Sequence, residues 1–367
     1  MKSRTATLSI SGSMYSHQSP AVIATPQQLP RHLFPNPQFL EPAARAFPMR
    51  ITSHFLSLIR SHRDGLARQV VPDPRELDDP RPQTDPLAEE AQSPVPLIVH
   101  RYPNRVIFLV SNSCAVHCRF CMRKRRVASS ALVQPWDIEA GLDYIRHRDK
   151  INEVILSGGD PMMLSDDDLV NILSALRRIP HVRVLRIHSR VASAWPQRIT
   201  PALASRLAVF HPLYINFHFN HPDEITPETD QACELLADAG IPLGSQTVLL
   251  REINDSPEVL HGLMEALLCI RVKPYYLHQI DRVTGTAHFQ VSIQRSLELM
   301  AGLRGRLSGM AMPHLMIDLP GGGGKMELLP ESVIHRAPDY WLVRNFRGRT
   351  FRYPTNSLDG TVQGSGT

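Results

Sequence analysis

Cysteine is scarce in this chain, with five in 367 residues. Their spacing offers no disulfide framework, so the expected compartment is a reducing one, the cytoplasm. No apolar stretch approaches the roughly 20 residues that a membrane-spanning helix needs. No apolar run follows Met1-Lys2-Ser3-Arg4, so a secretory signal is not expected there. Charge of one sign is not in large excess either. Lys and Arg number 40 against 35 Asp and Glu, and the resulting +5 is too small over this length to demand a nucleic-acid partner. With 43% hydrophobic and 20% charged residues, the chain can build a core. Its length suits one large domain with appendages, or two domains.

Three of the cysteines fall together in the run Cys114-Ala-Val-His-Cys118-Arg-Phe-Cys121. Thiolates this close can converge on one [4Fe-4S] cluster, and three of them fill only three of its four iron corners. The fourth iron is then free to hold a substrate or cofactor. Zinc would ask for a second cysteine pair, and the sequence has none. Cys233 and Cys269 lie in apolar, helix-like segments and read as buried core thiols. Arg119, Arg123, Lys124, Arg125 and Arg126 surround the triplet. That charge suits an anionic cofactor or a substrate carboxylate, and equally an RNA backbone.

Residues 1–40, rich in Ser, Pro and Gln, are expected to be flexible. Residues 41–100 read as an N-terminal helical cap with one short apolar helix from Ile51 to Ile59. From Arg105 onward apolar strands alternate with helical stripes. The patterning predicts strands at Val106–Val110, Glu153–Ser157, Val182–His188, Leu213–Phe219, Pro242–Leu250, Val272–Leu277 and His314–Asp318. Between them, Ser165 before three aspartates, Thr200-Pro201 and Thr226-Pro227 open helices, and Gly240 closes one. Leu260, Leu263, Met264 and Leu267 form another helical stripe, and Leu297, Met300 and Leu303 the last. This rhythm requires a parallel sheet. The expected fold class is α/β, a partial (β/α)6-type barrel at 101–325 with the cap before it and a C-terminal extension at 326–367. A doubly wound open sheet is the alternative.

Polar residues gather at one end of these strands. The cysteines follow the first and Ser157-Gly158-Gly159-Asp160-Pro161 the second. His188-Ser189-Arg190 follows the third, and His218-Phe219-Asn220-His221-Pro222 ends the fourth. Gln246 lies in the fifth, His278 and Asp281 follow the sixth, and Asp318 with Gly321-Gly322-Gly323-Gly324-Lys325 follows the last. In a βα barrel all these ends open on one face, where active sites are built. Any one of the histidines alone reads better as a satisfied core residue, and either aspartate as a cap or surface charge. The shared position favours a cavity. Gly158-Gly159 would suit an ordinary turn or the close approach of a ligand. A lysine on a mobile glycine loop suits a Schiff base with pyridoxal phosphate. Arg101 and Arg105 then become candidate phosphate ligands, with solvated surface arginines as the plain alternative.

The spacing Cys-x3-Cys-x2-Cys resembles the signature of radical S-adenosylmethionine enzymes. The segments His100 to Arg105, Ser157 to Pro161, His218 to Pro222, Gln246 to Leu250, Pro274-Tyr275-Tyr276 and Asp318 to Lys325 are similar to those of lysine 2,3-aminomutases, over roughly residues 45–350. The resemblance implies that Cys114, Cys118 and Cys121 bind the [4Fe-4S] cluster and that its open iron chelates S-adenosylmethionine. It implies that Ser157, Gly158, Gly159, Asp160, His218 and Gln246 help hold that cofactor. It assigns the pyridoxal 5'-phosphate to Lys325, the phosphate to Arg101 and Arg105, the substrate carboxylate to Arg123, and the ε-ammonium of lysine to Asp281 and Asp318. The implied reaction moves the amino group of lysine from C2 to C3, giving β-lysine. A reducing electron donor such as flavodoxin or ferredoxin and a homo-oligomer are the implied partners. Two departures from the clostridial pattern stand out: His278 replaces a tyrosine, and no cysteines follow Arg347, so a structural zinc is not expected there. Pro274–Val291 looks closer to a branch that makes β-lysine for elongation factor P. Other readings are an aminomutase for another cationic amino acid such as arginine, an RNA-modifying radical enzyme, and a non-catalytic metal-binding protein.

Overall fold

The computed structural model describes residues 20–80, 83–127 and 133–355. Before the barrel, β1 (Val22–Ile23) pairs antiparallel with β2 (Ile51–Thr52), and α1 (Glu41–Ala46), α2 (Ser53–Ser57) and α3 (Ala67–Val70) surround them. Residues 20–40 are therefore not loose as expected: Leu29 and Phe34 are buried in the main core. The segment from Ile51 is split rather than one helix. Thr52 ends the strand and caps α2, its Oγ1 accepting from the Phe55 N–H at 3.1 Å. The expected flexibility of residues 1–19 lies outside the described residues.

The main sheet has nine strands. These are β3 (Ile98–Tyr102), β4 (Arg105–Ser111), β5 (Glu153–Gly158), β6 (Val184–Ser189), β7 (Leu213–His218), β8 (Leu243–Leu249), β9 (Val272–Gln279), β10 (His314–Leu319) and β11 (Gly324–Glu327), paired in that order. The seven from β4 to β10 are mutually parallel. Successive strands are joined by α5 (Pro135–Arg146), α6 (Asp166–Arg177), α8 (Pro201–Ala208), α9 (Pro227–Asp238), α10 (Pro257–Cys269) and α11 (Ile293–Leu303). The short α4 (Lys124–Val127) follows the cysteine loop and α7 (Val191–Ala194) follows β6. Six βα units and a seventh strand make a nearly closed barrel, as the alternation of strands and helices implied.

The helix starts follow the local chemistry. Ser165, Thr200, Thr226, Ser256 and Ser292 each cap their helix with a side-chain oxygen that accepts a backbone N–H. Each such cap stabilises its helix by about 1 kcal/mol. Prolines 201, 227 and 257 follow three of them, where no N–H is needed. The apolar stripes face the sheet: Leu260, Leu263, Met264 and Leu267 of α10 are fully buried.

The barrel is not closed by backbone pairing between β4 and β10. Each carries an antiparallel strand on its open edge, β3 beside β4 and β11 beside β10. The expected boundaries at 101 and 325 fall inside β3 and β11, because both strands belong to hairpins of the barrel. The remaining elements are β12 (Val333–Arg336), β13 (Tyr340–Arg344) and β14 (Thr350–Pro354), a small antiparallel sheet. Of the two outlying cysteines, Cys233 is buried as expected, its thiol pushed up to about 12 by burial. Cys269 is exposed, since it ends α10 on the side away from the buried stripe.

Candidate active site

A cavity of about 920 Å³ runs along the parallel strands, lined from their first residues (Arg105, Glu153, Val184) to their C-terminal ends. Cys114, Cys118, Cys121, Arg101, Arg105, Arg123, Ser157, Gly158, Gly159, Asp160, His218, Gln246, Asp281, Asp318 and Lys325 all line it. That volume is at the upper end of the usual range for ligand sites.

The cysteine loop leaves β4 and is anchored from behind. Arg119 is buried and grips Glu76 with two charged hydrogen bonds, Nε to Oε1 at 2.8 Å and Nη2 to Oε2 at 2.7 Å. Its Nη1 donates to the carbonyl of Phe47 at 3.0 Å. Gly158 and Gly159 serve this loop as well. A Cβ on Gly158 would stand 2.3 Å from the Ser111 carbonyl oxygen, and one on Gly159 would stand 2.4 Å from that of Ser113. Gly158 also has φ of +122°, which favours glycine. The glycines are thus required by the approach of the cysteine loop itself, whatever else the cavity takes up.

Burial pushes the Cys114 thiol well up, with Asp160 and the other two thiols adding to it. Burial likewise raises Cys121 to about 11, and Cys118 adds to that. Cys114 and Cys121 therefore resist ionisation until a cation displaces their protons, as metal binding to thiols does. Among the described residues, no three His, Cys, Asp or Glu side chains are gathered tightly enough to hold a single metal ion. The three sulfurs share one loop and one cavity wall.

Asp160 was expected to face a cofactor. Its carboxylate also takes three hydrogen bonds from the protein. Oδ1 accepts from the Met162 N–H at 3.0 Å, and Oδ2 accepts from the Arg190 N–H at 2.7 Å and from Ser189 Oγ at 3.0 Å. Burial raises its pKa and these hydrogen bonds oppose the rise. His218 stays neutral, pushed down to about 3 by burial and by Arg190, with Asn220 Oδ1 at 3.1 Å from its Nε2. His188 and His278 are also held neutral by burial.

The lysine end is organised by a hairpin. Asp318 and Lys325 are cross-strand partners in β10 and β11, which explains their spacing of seven residues. The tetraglycine between them is a tight turn, with φ of +66° at Gly321, +85° at Gly322 and +92° at Gly324. These left-handed positions need glycine, and a Cβ on Gly322 would also meet Gln92 Nε2 at 2.3 Å. The run is a shaped turn, and Lys325 stands on a strand rather than on the mobile loop that composition suggested.

Lys325 Nζ bonds Asp318 Oδ2. Arg101 reaches the other oxygen of Asp318 at 3.3 Å, and His278 Nδ1 lies 3.8 Å from Oδ2. Tyr102 Oη accepts the Lys325 N–H at 2.8 Å, and Arg105 stacks on the Tyr102 ring at 3.9 Å. These contacts span the seam between β3 and β11 and bring Arg101, Arg105 and Lys325 to one corner. Asp281 is different. Among the described residues its carboxylate takes no hydrogen bond, and burial with the nearby Asp318 charge raises its pKa to about 7.

Arg123 carries a partner that the sequence did not suggest. Glu89, buried in the cap, accepts from Nε at 3.0 Å and from Nη2 at 2.6 Å, while Nη1 donates to Ser157 Oγ at 3.1 Å. Burial would raise Glu89, but the guanidinium groups of Arg123 and Arg125 outweigh it and hold the carboxylate below its ordinary range. Glu89 sits in an acidic, aperiodic stretch with no pattern to mark it. Arg190, Glu224, Gln69 and Asn220 were also missed as site residues, although Asn220 and Arg190 stood within quoted strand-end motifs.

A model described as the radical SAM superfamily matches residues 108–263, and one described as lysine-2,3-aminomutase matches residues 300–365. An L-lysine 2,3-aminomutase of Fusobacterium nucleatum is 45% identical over 84% of this chain and 74% of its own length. The chain belongs to the lysine 2,3-aminomutase family of radical S-adenosylmethionine enzymes. Membership brings an iron–sulfur cluster and S-adenosylmethionine, and cysteine sulfurs of the type such a cluster takes line the cavity. An L-lysine 2,3-aminomutase of Clostridium subterminale is 43% identical over 86% of this chain and 77% of its own. A glutamate 2,3-aminomutase of Clostridioides difficile is 42% identical over 86% and 75%. Within this family, then, identity alone does not separate a cationic from an anionic substrate, and the residues at the far end of the cavity must. Among the described residues no helix is long and apolar enough to cross a membrane.

Proposed function

We propose that this isomerase is an L-lysine 2,3-aminomutase, dependent on pyridoxal phosphate, that converts lysine to β-lysine. One observation carries the choice of substrate. Asp318 already seats the ε-ammonium of a lysine, that of Lys325, while the neighbouring Asp281 offers a second carboxylate to the cavity. A Lys325 engaged elsewhere leaves both for a substrate ammonium. Two carboxylates repel the side chain of glutamate and give alanine nothing to hold. Arginine, also cationic, is the rival that this pair does not reject on charge.

When bound, the cluster and S-adenosylmethionine supply the radical that abstracts hydrogen, and the pyridoxal carries the migrating nitrogen. The chain's own residues bind, orient and exclude water. In this reading Cys114, Cys118 and Cys121 hold the cluster, and Lys325 holds the pyridoxal. Arg101 and Arg105, beside Lys325, are the cations for its phosphate. Arg123, oriented by Glu89 and Ser157, takes the substrate carboxylate through the fork geometry that favours arginine. Gln246 and His218, which are neighbours across β8 and β7, face S-adenosylmethionine with Ser157, Gly158 and Gly159. Asp160 holds the loop that carries Arg190. A flavodoxin- or ferredoxin-type donor in a reducing compartment would deliver the electron. The barrel at 101–325 would act as the catalytic unit, with the cap supplying Glu89 and Glu76.

Anaerobic reconstitution with iron, sulfide, pyridoxal phosphate and S-adenosylmethionine tests this reading. Lysine, arginine, glutamate and alanine are then offered under reducing conditions. β-Lysine from lysine alone is the expected outcome, and its absence overturns the assignment. Lys325→Ala should abolish both turnover and the imine absorbance of the bound pyridoxal. An absorbance that persists in the variant removes Lys325 from its role.

A further inference from the structure

Behind the cysteine loop lies a buried arginine that none of the roles above uses. Arg190 follows β6, and its Nη1 donates to Cys118 Sγ at 2.7 Å. Its Nη2 donates to Gln69 Oε1 at 2.5 Å and to Glu224 Oε2 at 3.2 Å. The guanidinium lies over the rings of Phe55 and Phe120, 5.3 and 5.6 Å from their centroids. Its backbone N–H is held by Asp160. Glu224 is fixed in turn by Gln69 Nε2 and by the N–H groups of Asn220 and His221, at 2.9 to 3.0 Å. The two terminal nitrogens are thus held between one sulfur and the Gln69–Glu224 pair, while Nε takes no hydrogen-bond partner among the described residues.

We propose that Arg190 is a positioning residue that sets the electron affinity of the cluster by donating a charged hydrogen bond to the sulfur of Cys118. The inference rests on the reading that the three cysteines hold a [4Fe-4S] cluster. Reduction places one further negative charge on such a cluster, with the electron coming from an external low-potential donor. A fixed cation against a ligand sulfur stabilises the reduced form more than the oxidised one. Hydrogen bonds to cluster sulfurs are among the determinants of iron–sulfur potentials. A salt bridge whose only task was folding could be built without touching a sulfur. Glu224 partly neutralises the guanidinium, so its charge works in the opposite direction.

The test is a redox titration of the reconstituted cluster, followed by electron paramagnetic resonance, with and without S-adenosylmethionine. Arg190→Met should shift the reduction equilibrium at least tenfold towards the oxidised form, which is 59 mV for a one-electron couple. Arg190→Lys should fall between the variant and the wild type. Glu224→Gln should shift the equilibrium the other way. Full iron content with an unmoved potential in both Arg190 variants overturns the proposal. So does failure of both to assemble a cluster while the iron-free proteins stay folded, since Arg190 would then be an assembly residue. A wild-type protein that takes up no iron overturns the cluster reading instead.

Discussion

At the cysteine end of the cavity, Arg119 and Arg190 are each buried against a glutamate from another part of the chain. At the lysine end, Lys325, Arg101 and His278 crowd one aspartate, and the Asp281 carboxylate takes no hydrogen bond among the described residues. The first arrangement gives each arginine one buried glutamate and surrounds the pair with further donors and acceptors, Lys124 Nζ among them at 3.8 Å from Glu76. The second over-supplies cations to Asp318 and leaves a carboxylate near its titration point. A site that must hold a cluster unchanged through each cycle gains from fixed pairs. A site whose lysine must exchange partners gains from pairs that can be re-made. On the proposed function, the difference is the electrostatic counterpart of a resident group at one end and a passing one at the other.

Breaking a fixed pair should have the largest effect on the molecule as a whole. Glu76 is fully buried and Arg119 nearly so, with side-chain exposures of 0% and 2%. Removing one member of such a pair leaves an uncompensated buried charge, at a cost of about 3–5 kcal/mol. Glu76→Gln should lower the unfolding free energy of the metal-free protein by that amount in a urea titration. A loss below about 1 kcal/mol would mean that the cysteine loop is held by something else. The corresponding change at the other end, in Lys325→Ala, should leave stability nearly unchanged, because Asp318 keeps Arg101.

The asymmetry also explains what was legible beforehand. β4 and β5 carry continuous apolar runs, Val106–Val110 and Val154–Leu156, while β6 to β9 interleave apolar residues with ones such as Arg186, Asn216, Gln246 and His278 that line the cavity. The helices announced themselves through their caps and stripes. The cysteine triplet, Lys325 and the two aspartates were singled out by residue type and place, and the structure brings them to one cavity. The edge strands β3 and β11 were not, since a short strand in a tight hairpin carries little periodicity. The tetraglycine was read from composition as a loop, while its positive φ angles form a turn that sets Lys325 on β11. Glu89, Gln69 and Glu224 act through contacts between residues 34 to 155 positions apart, which no local pattern records.

At the exchangeable end the effect should appear in binding rather than folding. Asp281 has its pKa raised to about 7, by burial first and Asp318 second, so at neutral pH it is part protonated. Only the ionised form attracts an ammonium. Affinity for lysine should therefore rise as pH increases through about 7 and weaken below it. Asp281→Asn should raise the KM for lysine roughly 10- to 100-fold, the loss of a hydrogen bond to a charged group worth about 1.5–3 kcal/mol. It should also flatten that pH dependence. A KM profile unchanged in the variant would show that Asp318 alone holds the substrate.

The smallest effect should come from the seam itself. Tyr102 Oη accepts the Lys325 N–H across the gap between β3 and β11. Tyr102→Phe removes one hydrogen bond and leaves the ring on which Arg105 stacks. The expected loss is about 0.5–1.5 kcal/mol in unfolding free energy. The imine absorbance of bound pyridoxal should persist, because the hairpin register places Lys325 opposite Asp318 without help from the tyrosine. A loss of pyridoxal binding with stability intact would reverse that order. Lys325 would then owe its place to the closure of the barrel rather than to its own strand, and the lysine end would be as dependent on a fixed contact as the cysteine end.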